Sequence, residues 1–362
     1  MRLCVFGAGA VGGYLAARLA HAGRDVSLIA RGAHLDTIRR RGLKLITPDE
    51  TLVTAPRAAA DPAEFGPQDR VIVSTKAPAL PEVARTIGPL LRPDTPVAFA
   101  MNGVFWWYGH GFAPPYGGGA PPDLRRLDPD GLLHERIGPE RSLGLVVHSP
   151  NEVIEPGVVR NDRRSNRFVL GDPTGPASAR VRAVHAALSG AGFEVEIADD
   201  IRRAMWRKLI GNIGTGPVCA LTGARSSDLT EDEGTRRVCR AVMEEAMAVA
   251  ASHGFADLGV DAERHVAPGS RPVRKPSMLQ DLERGRPMEI DAMVGAVADF
   301  AAAAGVPTPT LDAVLALLRL RARVAGTYGA PPAVAETRAV APQAEAVRAG
   351  GDRGMAPPFA LW

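Results

Sequence analysis

The run Leu3-Cys4-Val5-Phe6-Gly7-Ala8-Gly9-Ala10-Val11-Gly12 sets a short apolar strand directly against a Gly-x-Gly-x-x-Gly loop, and a helical stretch from Tyr14 to Ala22 follows at once. Each glycine in such a loop has its own task. Gly7 makes the tight turn, Gly9 lets the backbone approach a pyrophosphate, and Gly12 lets the helix pack on the strand. Ala8, Ala10 and Val11 complete the cradle, with the helix N-terminus offering N–H groups to phosphate. A glycine-rich turn that binds no nucleotide is the alternative. The setting between strand and helix favours a dinucleotide.

The next strand selects the dinucleotide. Asp25-Val26-Ser27-Leu28-Ile29-Ala30 reads as strand, and the position that carries an acid for the ribose 2′-OH in NAD-preferring folds is Ala30. Arg31 follows it, and a guanidinium fork matches a 2′-phosphate with no carboxylate placed to repel it. A solvated loop charge is the competing reading of Arg31. NADP(H) is the expected cofactor. Val71 to Thr75 and Val97 to Ala100 are further buried-strand runs, ending at Lys76 and at Asn102-Gly103. Ligands of open α/β sheets lie outside the carboxyl ends of the strands, so Lys76 and Asn102 point toward the cofactor.

With 362 residues the chain suits two domains. A formal charge of +3, with acids interleaved among the bases, gives no nucleic-acid surface. Cys4, Cys219 and Cys239 lie far apart in apolar surroundings, which fits neither a disulfide framework nor a zinc site. The eight histidines lack ligand spacing, so no metal is expected. The first apolar segment is the nucleotide-binding strand, and no apolar stretch is long enough to span a bilayer. A reduced cytoplasm is the expected compartment.

The predicted architecture is α/β, a Rossmann-type dinucleotide-binding domain over 1–199 followed by an all-helical substrate domain over 200–327. In the first part, Gly144 to His148 and Val153 to Arg160 read as antiparallel β-structure, with Phe168 to Gly171 and Phe193 to Ile197 as further strands and a helix over 179–189. The second part reads as helices over 201–221, 230–253, 278–283, 288–304 and 311–325. Residues 328–362, rich in Ala, Pro and Gly, read as a disordered tail. The 104–141 segment breaks the rhythm with Trp106, Trp107, Tyr108 and Phe112 before Gly117-Gly118-Gly119. It reads as an aromatic plug with a mobile tip, with a lid or an oligomer contact as alternatives. A homodimer is the protein–protein association considered.

Reduction of a 2-oxo acid needs a proton donor, a carboxylate anchor and groups that orient the carbonyl. Lys208 and Asn212 stand four apart in Met205-Trp206-Arg207-Lys208-Leu209-Ile210-Gly211-Asn212, hence on one helix face. A lysine among apolar neighbours has its pKa lowered, which suits a general acid; by residue type alone it is more often a solvated charge.

The company these residues keep resembles the ketopantoate reductase family (2-dehydropantoate 2-reductase). The likeness rests on the glycine loop, Ser74-Thr75-Lys76, Met101-Asn102-Gly103, Trp206-Arg207-Lys208-Leu209-x-x-Asn212, and Ser277-Met278-Leu279-Gln280-Asp281 leading to Glu289-Ile290-Asp291. The resemblance implies Lys208 as proton donor and Glu289 as a contact to substrate or cofactor that orients Lys208. It implies Asn212 and Ser277 as substrate ligands, with Ser277 near the carboxylate. Asn102 would lie between nicotinamide and substrate, and Lys76 would contact cofactor. From the residues alone, Gly285 and Pro287 interrupt the helix after Asp281 and place Glu289 in the first turn of the next, where an acid also serves the helix dipole.

Two departures bear on the substrate. The family's Asn-x-x-x-Asn-Pro appears as Asn212-Ile213-Gly214-Thr215-Gly216-Pro217, so Gly216 stands where a second pocket asparagine is usual. A further position, often Asn, is the shorter Ser226, which is still expected to bind substrate. The leading reading is NADPH-dependent reduction of 2-dehydropantoate to pantoate, a step of pantothenate biosynthesis. A paralogue for another branched 2-oxo acid and a non-catalytic NADP(H) sensor are the alternatives; a sensor would need neither Lys208 nor Glu289.

Overall fold

The computed structural model describes residues 1–112, 124–176 and 178–329. The glycine tip at 117–119 and the tail from 330 onward therefore lie outside the described residues. The chain opens with β1 (Arg2–Phe6), α1 (Ala10–His21), β2 (Asp25–Ile29) and α2 (Gly32–Arg41). Three short strands come next, β3 (Leu43–Ile46), β4 (Thr51–Thr54) and β5 (Arg57–Ala59), followed by β6 (Arg70–Val73), α3 (Leu80–Thr86) and β7 (Val97–Phe99). Beyond the aromatic segment are α4 (Leu132–Arg136), β8 (Ser142–His148), β9 (Asn151–Glu155) and β10 (Val158–Asn161). The sheet-forming half closes with β11 (Arg167–Gly171), α5 (Ala179–Ser189) and β12 (Glu194–Ile197).

The remaining described chain is helical. It comprises α6 (Ile201–Ile213), α7 (Gly216–Thr222), α8 (Ser226–Glu231), α9 (Glu233–Ser252), α10 (Ala262–Val266) and α11 (Ser277–Glu283). A π turn (Asp291–Gly295) leads into α12 (Ala296–Ala304), and α13 (Pro309–Val324) follows.

Eight strands form the main sheet in the order β12-β11-β8-β7-β6-β1-β2-β5. From β8 to β5 they run parallel, and β11 returns antiparallel to β8. Parallel strands are covered on both faces, which explains why Val71-Ile72-Val73 is a continuous apolar run, each residue at most 1% exposed. The order reverses between β6 and β1, so the crevice for a dinucleotide opens over the glycine loop. One core cluster fills the α1/α5 face; the other runs from the opposite face into the helical half. That continuity seats the helices on the sheet.

Some expectations need correction. Val153 to Arg160 is not one strand but the hairpin β9–β10, turning at Pro156-Gly157, where Gly157 has φ +77°. It belongs to a separate four-stranded sheet, β4-β3-β10-β9, and the antiparallel partner of β8 is β11. Strands β3, β4 and β5 were not anticipated, because three or four residues carry too little periodicity. The long helix from Ile201 breaks after Ile213, and α7 restarts with Pro217 in its first turn, where a missing N–H costs nothing. Tyr328 is not part of a loose tail, since its hydroxyl donates to Asp291 Oδ1 at 2.9 Å and Thr327 is buried.

The aromatic segment is a plug in its described part. Phe105, Trp106, Trp107 and Tyr108 are buried, and Trp206 Nε1 donates to the Tyr108 hydroxyl at 2.9 Å. The buried Arg202 guanidinium donates to the carbonyls of Tyr108 (2.8 Å), Pro173 (3.0 Å) and His110. An arginine thus ties the plug to the start of α6.

Candidate active site

The glycine loop is built as its spacing requires. Gly7 has φ +109°, and a Cβ there would lie 2.8 Å from Thr75 Cγ2. A Cβ on Gly12 would fall 1.9 Å from the Gly7 carbonyl oxygen and 2.2 Å from Ser74 Oγ. Ser74 Oγ in turn donates to that carbonyl at 2.8 Å, so the Ser74-Thr75 strand end clamps the loop. Above Gly9 the situation is opposite: a Cβ would meet nothing within 4 Å. This open space over the N-terminus of α1, with Ala10 and Val11 in the first turn and Ala8 buried beneath, fits a pyrophosphate.

Arg31 sits at the end of β2 as the residue before α2, with its side chain 63% exposed. A carboxylate does stand near it, contrary to the expectation from sequence, because Glu82 of α3 approaches to 3.7 Å. An exposed pair of that length is worth less than about 1 kcal/mol, so a phosphate competes for Arg31 easily.

Two glycines locate Lys208. Gly144 and Gly171 face each other across β8 and β11, and a Cβ on either would come within 2.6 Å of Ile201. Their bare surface lets α6 lie close on the sheet. Two turns along, Lys208 reaches the strand end, where its Nζ donates to the Val147 carbonyl at 2.5 Å. Burial draws the Lys208 pKa down to about 8, against the opposing pull of the Glu289 charge. The adjacent His148 is pushed to about 4 by burial and by Lys208, Arg167 and Arg207, and so stays neutral. A cavity of about 920 Å³ opens beside Lys208, lined also by Arg203, Arg207, Arg264 and Arg271. Glu196, Asp199, Asp200 and Asp261 line it as well, so its charge is mixed.

Glu289 comes from the other side. It lies just ahead of the π turn, and its carbonyl accepts from Met293 N at 3.1 Å. Its carboxylate turns away from the helix end, accepting from Asn102 Nδ2 at 3.1 Å and from Ala77 N at 3.3 Å. Service to the helix dipole is therefore not what holds this acid. Burial raises its pKa, with Asn102, Lys76 and the Ala77 N–H opposing. Close approach of the two halves depends on Gly103, whose Cβ would sit 2.3 Å from the Ala292 carbonyl, while Val104 N donates to that carbonyl at 2.7 Å.

Lys76, Asn102 and Glu289 are thus brought together, and Lys208 lies within electrostatic reach of Glu289 without a hydrogen bond between them. Asp281, four residues after Ser277 and on the same face of α11, pairs with Lys76 across the cleft. Sequence reasoning left Asp281 without a role, although that spacing was the available signal. The Val147 carbonyl and Ala77 N–H are backbone groups that no residue pattern announces. Asn212 is half-buried near the end of α6, and Ser277 is exposed at the start of α11. Ser226 is buried at the start of α8, its hydroxyl on the Cys219 thiol.

A dinucleotide cradle at one end of a cleft, and a lysine of lowered pKa with a buried carboxylate at the other, define a nicotinamide-dependent oxidoreductase that combines a Rossmann sheet with a helical half. Models of ketopantoate reductase PanE/ApbA match residues 3–106, and of its C terminal residues 200–322. The chain is 46% identical to 2-dehydropantoate 2-reductase of Mesorhizobium japonicum, over 91% of this chain and all of that one. It is 31% identical to the Caulobacter vibrioides 2-dehydropantoate 2-reductase, over 88% and 99%. The crystal structure of a PanE/ApbA family ketopantoate reductase from Ralstonia eutropha matches with a TM-score of 0.75 at 29% identity, over 90% and 99%. This chain belongs to the ketopantoate reductase family and is an NADPH-dependent oxidoreductase of 2-oxo acids.

Proposed function

We propose that the chain reduces 2-dehydropantoate to pantoate, with Lys208 as proton donor and Glu289 as the carboxylate that sets its charge. The observation that carries this reading is the lysine itself, seated at the strand end with a pKa of about 8 and facing the field of a buried acid. Bound NADPH would supply the hydride for the carbonyl carbon. Lys208 gives a proton from Nζ to the carbonyl oxygen as the C=O bond becomes an alcohol. Asn102, fixed by Glu289, would orient the carbonyl, while Lys76 would contact the cofactor and Arg31 would hold its 2′-phosphate. Asn212 and Ser277 bind the substrate, the latter toward its carboxylate.

Gly216 supports a second reading, a broader substrate range. The helix break means that it does not continue the face of Lys208, as eight residues of unbroken helix would require. It is nevertheless buried at the start of α7, with nothing within 4 Å of an added Cβ. Room remains for a bulkier 2-oxo acid. A spectrophotometric screen of NADPH oxidation against 2-oxo acids tests both readings. Turnover of 2-dehydropantoate is expected; activity only on other acids would transfer the assignment to the paralogue reading, and no activity at all would leave a cofactor sensor.

No helix among the described residues is long and apolar enough to cross a membrane. Three buried free cysteines are in keeping with a reducing cytoplasm as the working compartment. Association of two copies is part of the same proposal, supported by an apolar stripe on α13.

A further inference from the structure

The run Asn102-Gly103-Val104 and the turn after Glu289 meet through a backbone irregularity. Over Asp291–Gly295 the helix widens to π geometry, and Ala296 N donates to the Asp291 carbonyl, five residues back. An α-helix would send that N–H to the Ala292 carbonyl. Here the Ala292 carbonyl accepts from Val104 N at 2.7 Å, a donor from the sheet-forming half. The seam is dry, since both residues are buried. π bulges of this kind are rare and frequent functional sites. The bond at Ala292 anchors the 102–104 run three residues from Glu289, and from there the Asn102 amide reaches Glu289 Oε2 at 3.1 Å.

Asp291 holds the turn in this shape. Its Oδ1 accepts from the Tyr328 hydroxyl at 2.9 Å and from Arg319 at 3.2 Å, with Arg126 at 3.5 Å. Arg126 also grips Asp299 of α12 through two hydrogen bonds, at 2.7 and 2.8 Å. The Asp291 carboxylate folds back over the end of its own turn, where a Cβ on Gly295 would lie 3.1 Å from Oδ1. The 104–141 segment therefore meets the π turn twice, through Val104 and through Arg126.

We propose that Asp291 is a positioning residue for the reduction: by fixing the π turn it presents the Ala292 carbonyl to Val104 and so sets Asn102 against Glu289. The inference rests on the roles proposed above for Lys208 and Glu289, and adds what places the acid. Without the turn Glu289 loses the Asn102 donor, which helps to keep it charged against its burial. Lys76, Asp281 and the Ala77 N–H still face it, and Lys208 feels whatever charge remains. A weaker charge on Glu289 lets Lys208 release its proton at lower pH.

The test follows the pH dependence of reduction by the full chain, with hydrogen exchange at the Val104 amide, NADPH affinity and thermal melting measured in parallel. In Asp291→Ala the limb that falls near pH 8 in wild type should move down by about one pH unit, and turnover should drop about ten- to a hundredfold. Exchange at Val104 should quicken while NADPH affinity holds. Asp291→Asn keeps the acceptor atom and should recover most of the turnover. Tyr328→Phe removes one hydrogen bond, should shift the limb by less in the same direction, and decides the matter if Asp291→Ala does not fold. A folded variant with an unmoved limb, or with wild-type exchange at Val104, would overturn the positioning role and leave those of Lys208 and Glu289 standing. A wild type without a falling limb would overturn both.

Discussion

At the scale of single residues, the proposed acid is a lysine whose surroundings withhold water. The lowered pKa of Lys208 comes first from burial, and Glu289 opposes it. Reduction uses the protonated form, so its rate should fall as pH rises through about 8, while oxidation of the hydroxy acid should rise. Glu289→Gln removes the charge that supports the ammonium, and should move both limbs to lower pH; an unmoved profile would show that Glu289 acts only by contact. Lys208→Ala should lower turnover by about two to four orders of magnitude with little change in NADPH affinity measured by calorimetry. Arg31→Ala should cost about 1.5–3 kcal/mol of NADPH binding and spare NADH, because a charge-assisted contact to the 2′-phosphate is what it removes. As candidates these residues were legible in sequence, Arg31 from its place after the second strand and Lys208 and Glu289 from the motifs that resemble the family. The Val147 carbonyl that holds Lys208 and the Ala77 N–H that holds Glu289 were not, since a backbone group has no letter of its own.

Among the elements, glycines set the distances. Gly9 and Gly12 have the same side chain and opposite surroundings, so alanine should separate binding from folding. Gly12→Ala drives a Cβ into the Gly7 carbonyl and should destabilise by about 1–3 kcal/mol or more in denaturant titration. Gly9→Ala has open space, and should keep the native melting temperature while losing NADPH affinity. The loop glycines could be assigned from sequence because strand, turn and helix follow one another within a few residues. Gly144 and Gly171 could not, since their purpose depends on a register between β8 and β11 and on Ile201, more than thirty residues from the one and thirty from the other. The break at Gly214 to Gly216 was misread for a related reason: apolar periodicity continues across it, and only Pro217 marks the restart.

For the whole molecule, the question is what joins a nucleotide-binding sheet to a bundle of helices. Arg202 does much of it, giving its donors to three carbonyls on two separate segments. Arg202→Met should destabilise by about 3–5 kcal/mol, because three carbonyls, two of them in buried hydrogen bonds, lose charged donors at once. Across the cleft, the Lys76–Asp281 pair and the Gly103–Ala292 contact bring cofactor side and substrate side together. The change from mixed sheet to helix near residue 200 was visible in the sequence, since hydrophobic period reports local structure well. The contacts that close the cleft were not, because each joins residues about two hundred positions apart.

The central claim is that Lys208 supplies the proton when 2-dehydropantoate is reduced. Single-turnover oxidation of NADPH, followed against pH with saturating 2-dehydropantoate in wild type and in Lys208→Ala, tests it most directly. The account predicts a wild-type rate that falls about tenfold per pH unit above the lysine's pKa of about 8, and a residual, pH-independent rate in the variant. A variant that keeps the wild-type rate and the same pH dependence would contradict it.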